Sequence, residues 1–245
     1  MQSRFDPWSS ETPDGRIPYT IDGTVVGHLH RRSWQWACSD ADCRLHCFAA
    51  APLDPVPPTG PHEPVIGALA RLQGWYRQQR QAVLMLDNPD EALGAARITA
   101  AQGVRLIGIR SDADRACWDA ALMAGLPLYG VYGDVCCEVD RTDASAVIEA
   151  MNYGAYTSGD GVHLVDFTED ATGVRWHLAE PDGAAVGVVI AGGLEAATIE
   201  GAAGSWRDTG REGYVRLEMR QGDRRRFSQP RMVAKRAMTA GEWGR

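Results

Sequence analysis

The feature that most restricts the fold is a change of hydrophobic rhythm near residue 159. Before it, short apolar runs recur at 24–26, 47–51, 82–86, 106–109 and 128–131, each bounded by polar residues, Gly or Pro. Runs of that kind read as buried strands. Helical patterns lie between the later ones. Residues 65–79 place Ile66, Leu69, Ala70, Leu72 and Trp75 on one side, 89–102 opens with Pro89, and 114–124 spaces Cys117, Trp118, Ala121 and Leu122 helically before Gly125. Proline suits a first helical turn and glycine a helix end. Strand and helix in alternation predict parallel β/α units. After residue 159 the period drops to two, in HLVDF, VRWHLAE, GVVIA, ATIEG, YVRLEMR and RRFSQPRMV, with Gly and Asp in the turns. That pattern predicts an antiparallel β module. The expected organisation is therefore an α/β lobe over 17–158 followed by a small antiparallel β module over 159–237. A proline-rich loop at 52–64 crosses the first lobe, and the ends at 1–16 and 238–245 read as loose.

A net charge of -7 opposes binding to a polyanion, which needs a surplus of Lys and Arg on one face. The one basic run, RQGDRRR at 220–226, is broken by Gly222 and Asp223 and reads as a solvated hairpin turn. No segment approaches the roughly 20 apolar residues that span a bilayer, and the N-terminus lacks the apolar run of a signal peptide. The expected partners are a small-molecule substrate or another protein, with neither nucleic acid nor membrane. A cytoplasmic location is expected, and any homodimer would form through the β module. In a reducing compartment the six cysteines read as thiols or ligands rather than disulfides.

Three groups of residues could carry chemistry. His28 and His30 lie two apart at the end of the first apolar run, so in a strand both imidazoles leave the same face, a geometry that suits a metal. Nearby, Cys38, Cys43, His46 and Cys47 are potential zinc ligands but lack the C-x2-C spacing of a zinc knuckle, and the cysteines read as structural. The second group is LYGVYGDVCCEVD, where Asp134, Cys136, Cys137 and Glu138 follow a strand at its carboxyl end, either as site residues or as a polar loop with two unreactive thiols. The third is MLDNPDEA, in which Asp87 is a candidate hard oxygen ligand or general base and Asn88 either caps a helix or binds substrate. No G-x-G-x-x-G, Walker A loop or G-x-S-x-G elbow occurs, which removes the usual supports for nucleotide binding and serine hydrolysis.

Taken together, these stretches resemble the polymerase and histidinol phosphatase (PHP) family. GHLHRRS resembles its opening D-L-H-x-H-S, and VLMLDNPDEA resembles a strand ending in N-H-P. CWDAALMAGLPLYGVYGD resembles the W-D-x-L-L-x-x-G stretch before a strand ending in D-x-H, and 144–159 resembles the helix and G-x-x-Y-x-S-x-G turn that follow. Asn88 replaces the N-H-P histidine, and D-x-H becomes Asp134 with Cys136 or, without a gap, Val135 with Cys137.

The resemblance implies a shortened, distorted (β/α) barrel that binds divalent metal and hydrolyses phosphate esters. Its ligands here would be His28, His30, Asp134 and a thiolate from Cys136 or Cys137. Imidazole with thiolate favours zinc or iron over magnesium or manganese. On that reading one ion activates water, Asp134 or Asp87 accepts the proton, and Arg31, Arg32 and Asn88 hold the substrate. The competing expectation is a catalytically inactive descendant acting as a binding or assembly module.

Overall fold

In a computed structural model of the chain, residues 1–9, 15–55, 62–79, 81–170, 172–179 and 184–233 are described; 56–61 of the proline-rich loop, the end of the β module at 234–237 and the tail at 238–245 lie outside them. The chain opens as an antiparallel meander of four strands, β1 (Gln2–Phe5), β2 (Arg16–Ile21), β3 (Thr24–Ala37) and β4 (Asp42–Ala49). Asp22 and Gly23 form the two-residue turn between β2 and β3 with φ of 48° and 83°. Positive φ at both positions is what a tight hairpin turn requires. Thus the N-terminal stretch expected to be loose contributes a strand, and no helix separates β2, β3 and β4.

Parallel pairing begins later and is brief. After α1 (Val65–Tyr76), β5 (Ala82–Leu86) lies antiparallel to β4, and among the described residues only β5, β6 (Leu106–Gly108) and β7 (Tyr129–Val131) run parallel. The helix expected over 89–102 breaks into α2 (Pro89–Ala92), α3 (Gly94–Arg97) and a 3-10 turn at Ile98–Ala101, because Gly94 takes φ of 63°, outside the helical region. The next helix, α4 (Asp112–Met123), is capped by the Ser111 hydroxyl, which accepts from the Asp114 amide.

Beyond β7, the residues expected to form a polar loop make β8 (Asp134–Glu138), which pairs antiparallel with β1 and with β9 (Tyr156–Gly159). Between them lies α5 (Ala144–Tyr153), capped by Asp143 and ended by Gly154 in the left-handed region. The remaining strands are β10 (Leu164–Asp170), β11 (Gly173–Leu178), β12 (Ala185–Ala191), β13 (Leu194–Glu200), β14 (Ala203–Arg207), β15 (Tyr214–Gln221), β16 (Arg224–Ser228) and β17 (Arg231–Met232). All of their pairings are antiparallel. Since β9 pairs with both β8 and β16, the main sheet runs through residue 158 without a break.

The expected (β/α) barrel does not form. The described residues make a 14-stranded mixed sheet, in the order β13-β12-β15-β16-β9-β8-β1-β2-β3-β4-β5-β6-β7 with β17 on β15, and a separate sheet β10-β11-β14. Its strands are mostly antiparallel because hairpins, not helical crossovers, connect them. The sheet curls until β7 faces β9, yet no backbone ladder closes the gap. Side chains bridge it instead: Gly130 O accepts from Tyr156 Oη at 3.2 Å, Ser158 Oγ at 3.1 Å and Gln229 Nε2 at 2.9 Å, and the Gly130 amide donates to Gln229 Oε1 at 2.7 Å.

Two apolar cores sit on the two faces of this curl. On one, Leu45, Cys47, Leu84, Leu86 and Ile107 pack under α1 and α4; on the other, Leu29, Phe48, Val83, Met85, Leu106, Val131 and Val135 pack against α5. A third core around Trp176 lies between the small sheet and β12 and β15. The inner face that α5 covers carries the candidate site, at the end where β5, β6 and β7 finish.

Candidate functional site

The structure separates the residues expected to share a metal. Along β3, Leu29 and Arg31 turn to the inner face, so His28, His30 and Arg32 alternate to the other. Asp134 begins β8, and β1 and β2 lie between β8 and β3. Three strand spacings amount to about 14 Å. Cys136 shares the Asp134 face, whereas Cys137 points oppositely into the core beneath α5. Burial pushes the Cys136 thiol up and the Cys137 thiol to about 12. Among the described residues no group of three or more His, Cys, Asp or Glu side chains could hold a metal ion. The donor set therefore does not fit the zinc or iron site expected from the sequence.

Two of the expected substrate-binding residues are engaged in the fold. Buried Arg31 donates to Pro7 O at 2.5 Å and Ser9 O at 2.8 Å. Asn88 Oδ1 accepts from the Arg44 amide at 2.8 Å, and Nδ2 donates to Glu91 Oε2 at 2.8 Å, so its side chain ties β4 to α2 without capping the helix. Arg32 is exposed on β3. Asp134 accepts from Arg4 Nε at 2.7 Å.

What the curl does bring together is a row across four neighbouring strands. Ser33 on β3 stands opposite His46 on β4, His46 stands opposite Met85, and Asp87 follows the end of β5 on the same face. Arg110 follows β6. Ser33 Oγ lies 2.7 Å from His46 Nδ1, and His46 Nε2 lies 3.3 Å from Asp87 Oδ2 without hydrogen-bond geometry. Arg110 grips the same carboxylate with both arms of its fork, Nε at 2.8 Å and Nη2 at 3.1 Å. Only 2 % of Asp87 is exposed, so its charge depends on these neighbours. Burial raises the Asp87 carboxyl, but His46 and Arg110 outweigh it and hold the group below the usual carboxylate range.

Trp8 roofs this row. The Arg31 hydrogen bonds fix the carbonyls on either side of Trp8, whose ring stacks 4.1 Å from the Arg110 guanidinium carbon and meets the His46 ring edge-on at 5.9 Å. Gly108 permits the approach, since a Cβ there would lie 2.7 Å from Asp87 O and 3.0 Å from the Trp8 ring. Beside Trp8 a cavity of about 320 Å³ is lined by Asp6, Ile109, Arg110, Tyr132, Asp134 and Asp160. Gly133, with φ of 57°, leaves room for the Asp160 carboxylate, which a Cβ would meet at 1.9 Å.

Asp87 is legible in the sequence as a polar residue ending an apolar run, but its partners are not. His46 was grouped with the cysteines, and Trp8 with a loose end. Arg110 carried no motif. The available signal was strand parity: with 45, 47 and 49 apolar, His46 must face away from them, toward the side that Met85 and Asp87 share.

No family model matches the chain, and neither a curated protein nor a solved structure matches it. No helix among the described residues is long and apolar enough to cross a membrane.

Proposed function

We propose that this chain is a non-catalytic binding module, with the mouth under Trp8 as its ligand site, rather than a metal-dependent phosphoesterase. The observation that carries this reading is the Asp87–Arg110 pair. A carboxylate buried at a metal centre relies on the ion for its countercharge; here the fold supplies it from Arg110 and His46. The separation of His28 and His30 from Asp134 supports the same reading. The fixed charges suit a small polar ligand seated beside Trp8, in contact with Arg110 and the carboxylates of Asp6 and Asp160.

Elemental analysis after loading with zinc, iron, manganese or magnesium tests the proposal, together with turnover of phosphate mono- and diesters. The expected result is far less than one metal per chain and no turnover. Stoichiometric metal that is lost on Asp87→Asn or on His28→Ala with His30→Ala, accompanied by ester hydrolysis, would overturn it.

The 2.7 Å Ser33–His46 contact, continued to Asp87, favours a second reading, metal-free ester hydrolysis. Ser33 Oγ would attack the acyl carbon as its proton passes to His46 Nδ1. The leaving alcohol would take that proton, and water would then release the acyl group. A fluorophosphonate probe that labels the native chain but not Ser33→Ala supports this alternative. Absence of label removes it.

A further inference from the structure

A second cavity lies at the opposite edge of the parallel strands from the mouth. It holds about 640 Å³ and opens where β5, β6 and β7 begin, beside Gln81, Arg105 and Leu128. That volume falls within the range of small-molecule sites. Its floor is apolar, formed by Val104, Leu126, Leu128 and Ile148. One wall is braced, since Tyr76 Oη donates to Ala82 O at 2.9 Å and Asn152 Nδ2 donates to the same oxygen at 3.1 Å.

Its charge is unbalanced. Among the described residues three arginines line the cavity, Arg77 from the end of α1, Arg105 from the approach to β6, and Arg141 from the approach to α5. Arg141 is matched by Glu149 at 2.8 Å, with Asp140 and Asp143 each at 3.8 Å. Neither Arg77 nor Arg105 has an ion-pair partner among the described residues, although the chain carries a net charge of -7. Two uncompensated guanidinium groups above an apolar floor form the complement of an amphipathic anion.

We infer that this cavity is a binding site for a small organic anion, a carboxylate, sulfonate or phosphate carried on an apolar body. Arg77 and Arg105 hold the anionic group, and Leu126 and Ile148 receive the apolar part. The site is independent of the mouth and of Asp87.

Anilinonaphthalene sulfonate, an aromatic sulfonate, is a direct probe by fluorescence titration of the full chain. The expected result is saturable binding at one site, weakened about tenfold by Arg77→Ala or Arg105→Ala, because each removes one charge-assisted contact. Benzoate should displace the probe better than sodium chloride at equal ionic strength. Displacement by inorganic phosphate as well would place the specificity in the anionic group, whereas displacement by benzoate alone would show that the apolar floor contributes. Leu126→Trp, which fills the floor, should abolish binding; both arginines are exposed, so their variants remain decisive if the tryptophan variant does not fold. Unchanged affinity in the Arg77→Ala, Arg105→Ala double variant, or equal displacement by benzoate and chloride, would overturn the inference.

Discussion

Replacing Arg110 with alanine strips the buried Asp87 carboxylate of its two-armed partner. Breaking a fully buried ion pair costs about 3–5 kcal/mol through the charge left behind. In this mouth the arginine side chain is 53 % exposed, and His46 remains 3.3 Å from the carboxylate, so the electrostatic loss should be nearer 2 kcal/mol. Losing the stack on Trp8 adds about 0.5–1 kcal/mol. The sum, about 2.5–3 kcal/mol, should appear as a lower urea midpoint with little change in slope.

Asp87→Asn combined with Arg110→Ala should recover about 1–2 kcal/mol of the loss, since no buried charge then lacks a partner. The pH dependence has a definite sign. The folded-state carboxyl sits below its ordinary value, so the stability it contributes is present above that value and lost as pH falls through the folded one. The gap between wild type and Arg110→Ala should therefore hold above about pH 4 and narrow as the pH falls below it. A gap below about 0.5 kcal/mol at neutral pH, or strictly additive effects of the two substitutions, would refute the reasoning.

Burial raises Glu169 to about 7 against the opposing pull of Arg231, so the folded state keeps a proton that the unfolded chain has already released, and stability should fall as pH rises from about 4.5 to about 7. Glu169→Gln should flatten that fall and stabilise the chain by about 2 kcal/mol above pH 7 in urea titrations, with Arg231 still paired to Asp208. Gly187→Ala should cost about 1–3 kcal/mol or more and alter the near-ultraviolet circular dichroism of tryptophan, because the new Cβ would lie 2.2 Å from the Trp176 ring. An aromatic disulfide reagent should modify only Cys38 and Cys136 in the native chain, and all six cysteines after unfolding, since Cys43, Cys47, Cys117 and Cys137 are buried.

Where the apolar runs are continuous, the strands of the fold were legible in the sequence. Ala82–Leu86 appears as read, and 106–109 and 128–131 become three-residue strands one residue shorter. Their pairing partners were not legible, because a run buried on both faces does not show whether its neighbour is parallel. The Asp22-Gly23 pair is a hairpin signal that the expectation of a loose start passed over, and the flanking TIDGTVVGH is too polar to show where β3 extends. Asp134–Glu138 reads as a polar loop because it alternates only weakly, and tertiary pairing to β1 and β9 makes it a strand. The distance between the histidines and Asp134 was not legible for a related reason: same-face spacing of His28 and His30 fixes their mutual direction, not how many strands separate them from β8. Asp87 was legible as the polar residue ending an apolar strand, whereas Arg110 and Trp8 reach it only through the curl.

Gly130 draws its hydrogen bonds from Tyr156, Ser158 and Gln229, so the seam between β7 and β9 depends on residues distant in the chain. A nascent chain that has emerged only as far as β9 holds every strand of the mouth but lacks the glutamine that locks the seam. Final setting of the first core must then wait for synthesis of almost the whole described chain. Maturation of the mouth is thereby tied to the C-terminal strands, and shortening the chain before Gln229 should loosen the Trp8 roof although no residue of that roof has been removed.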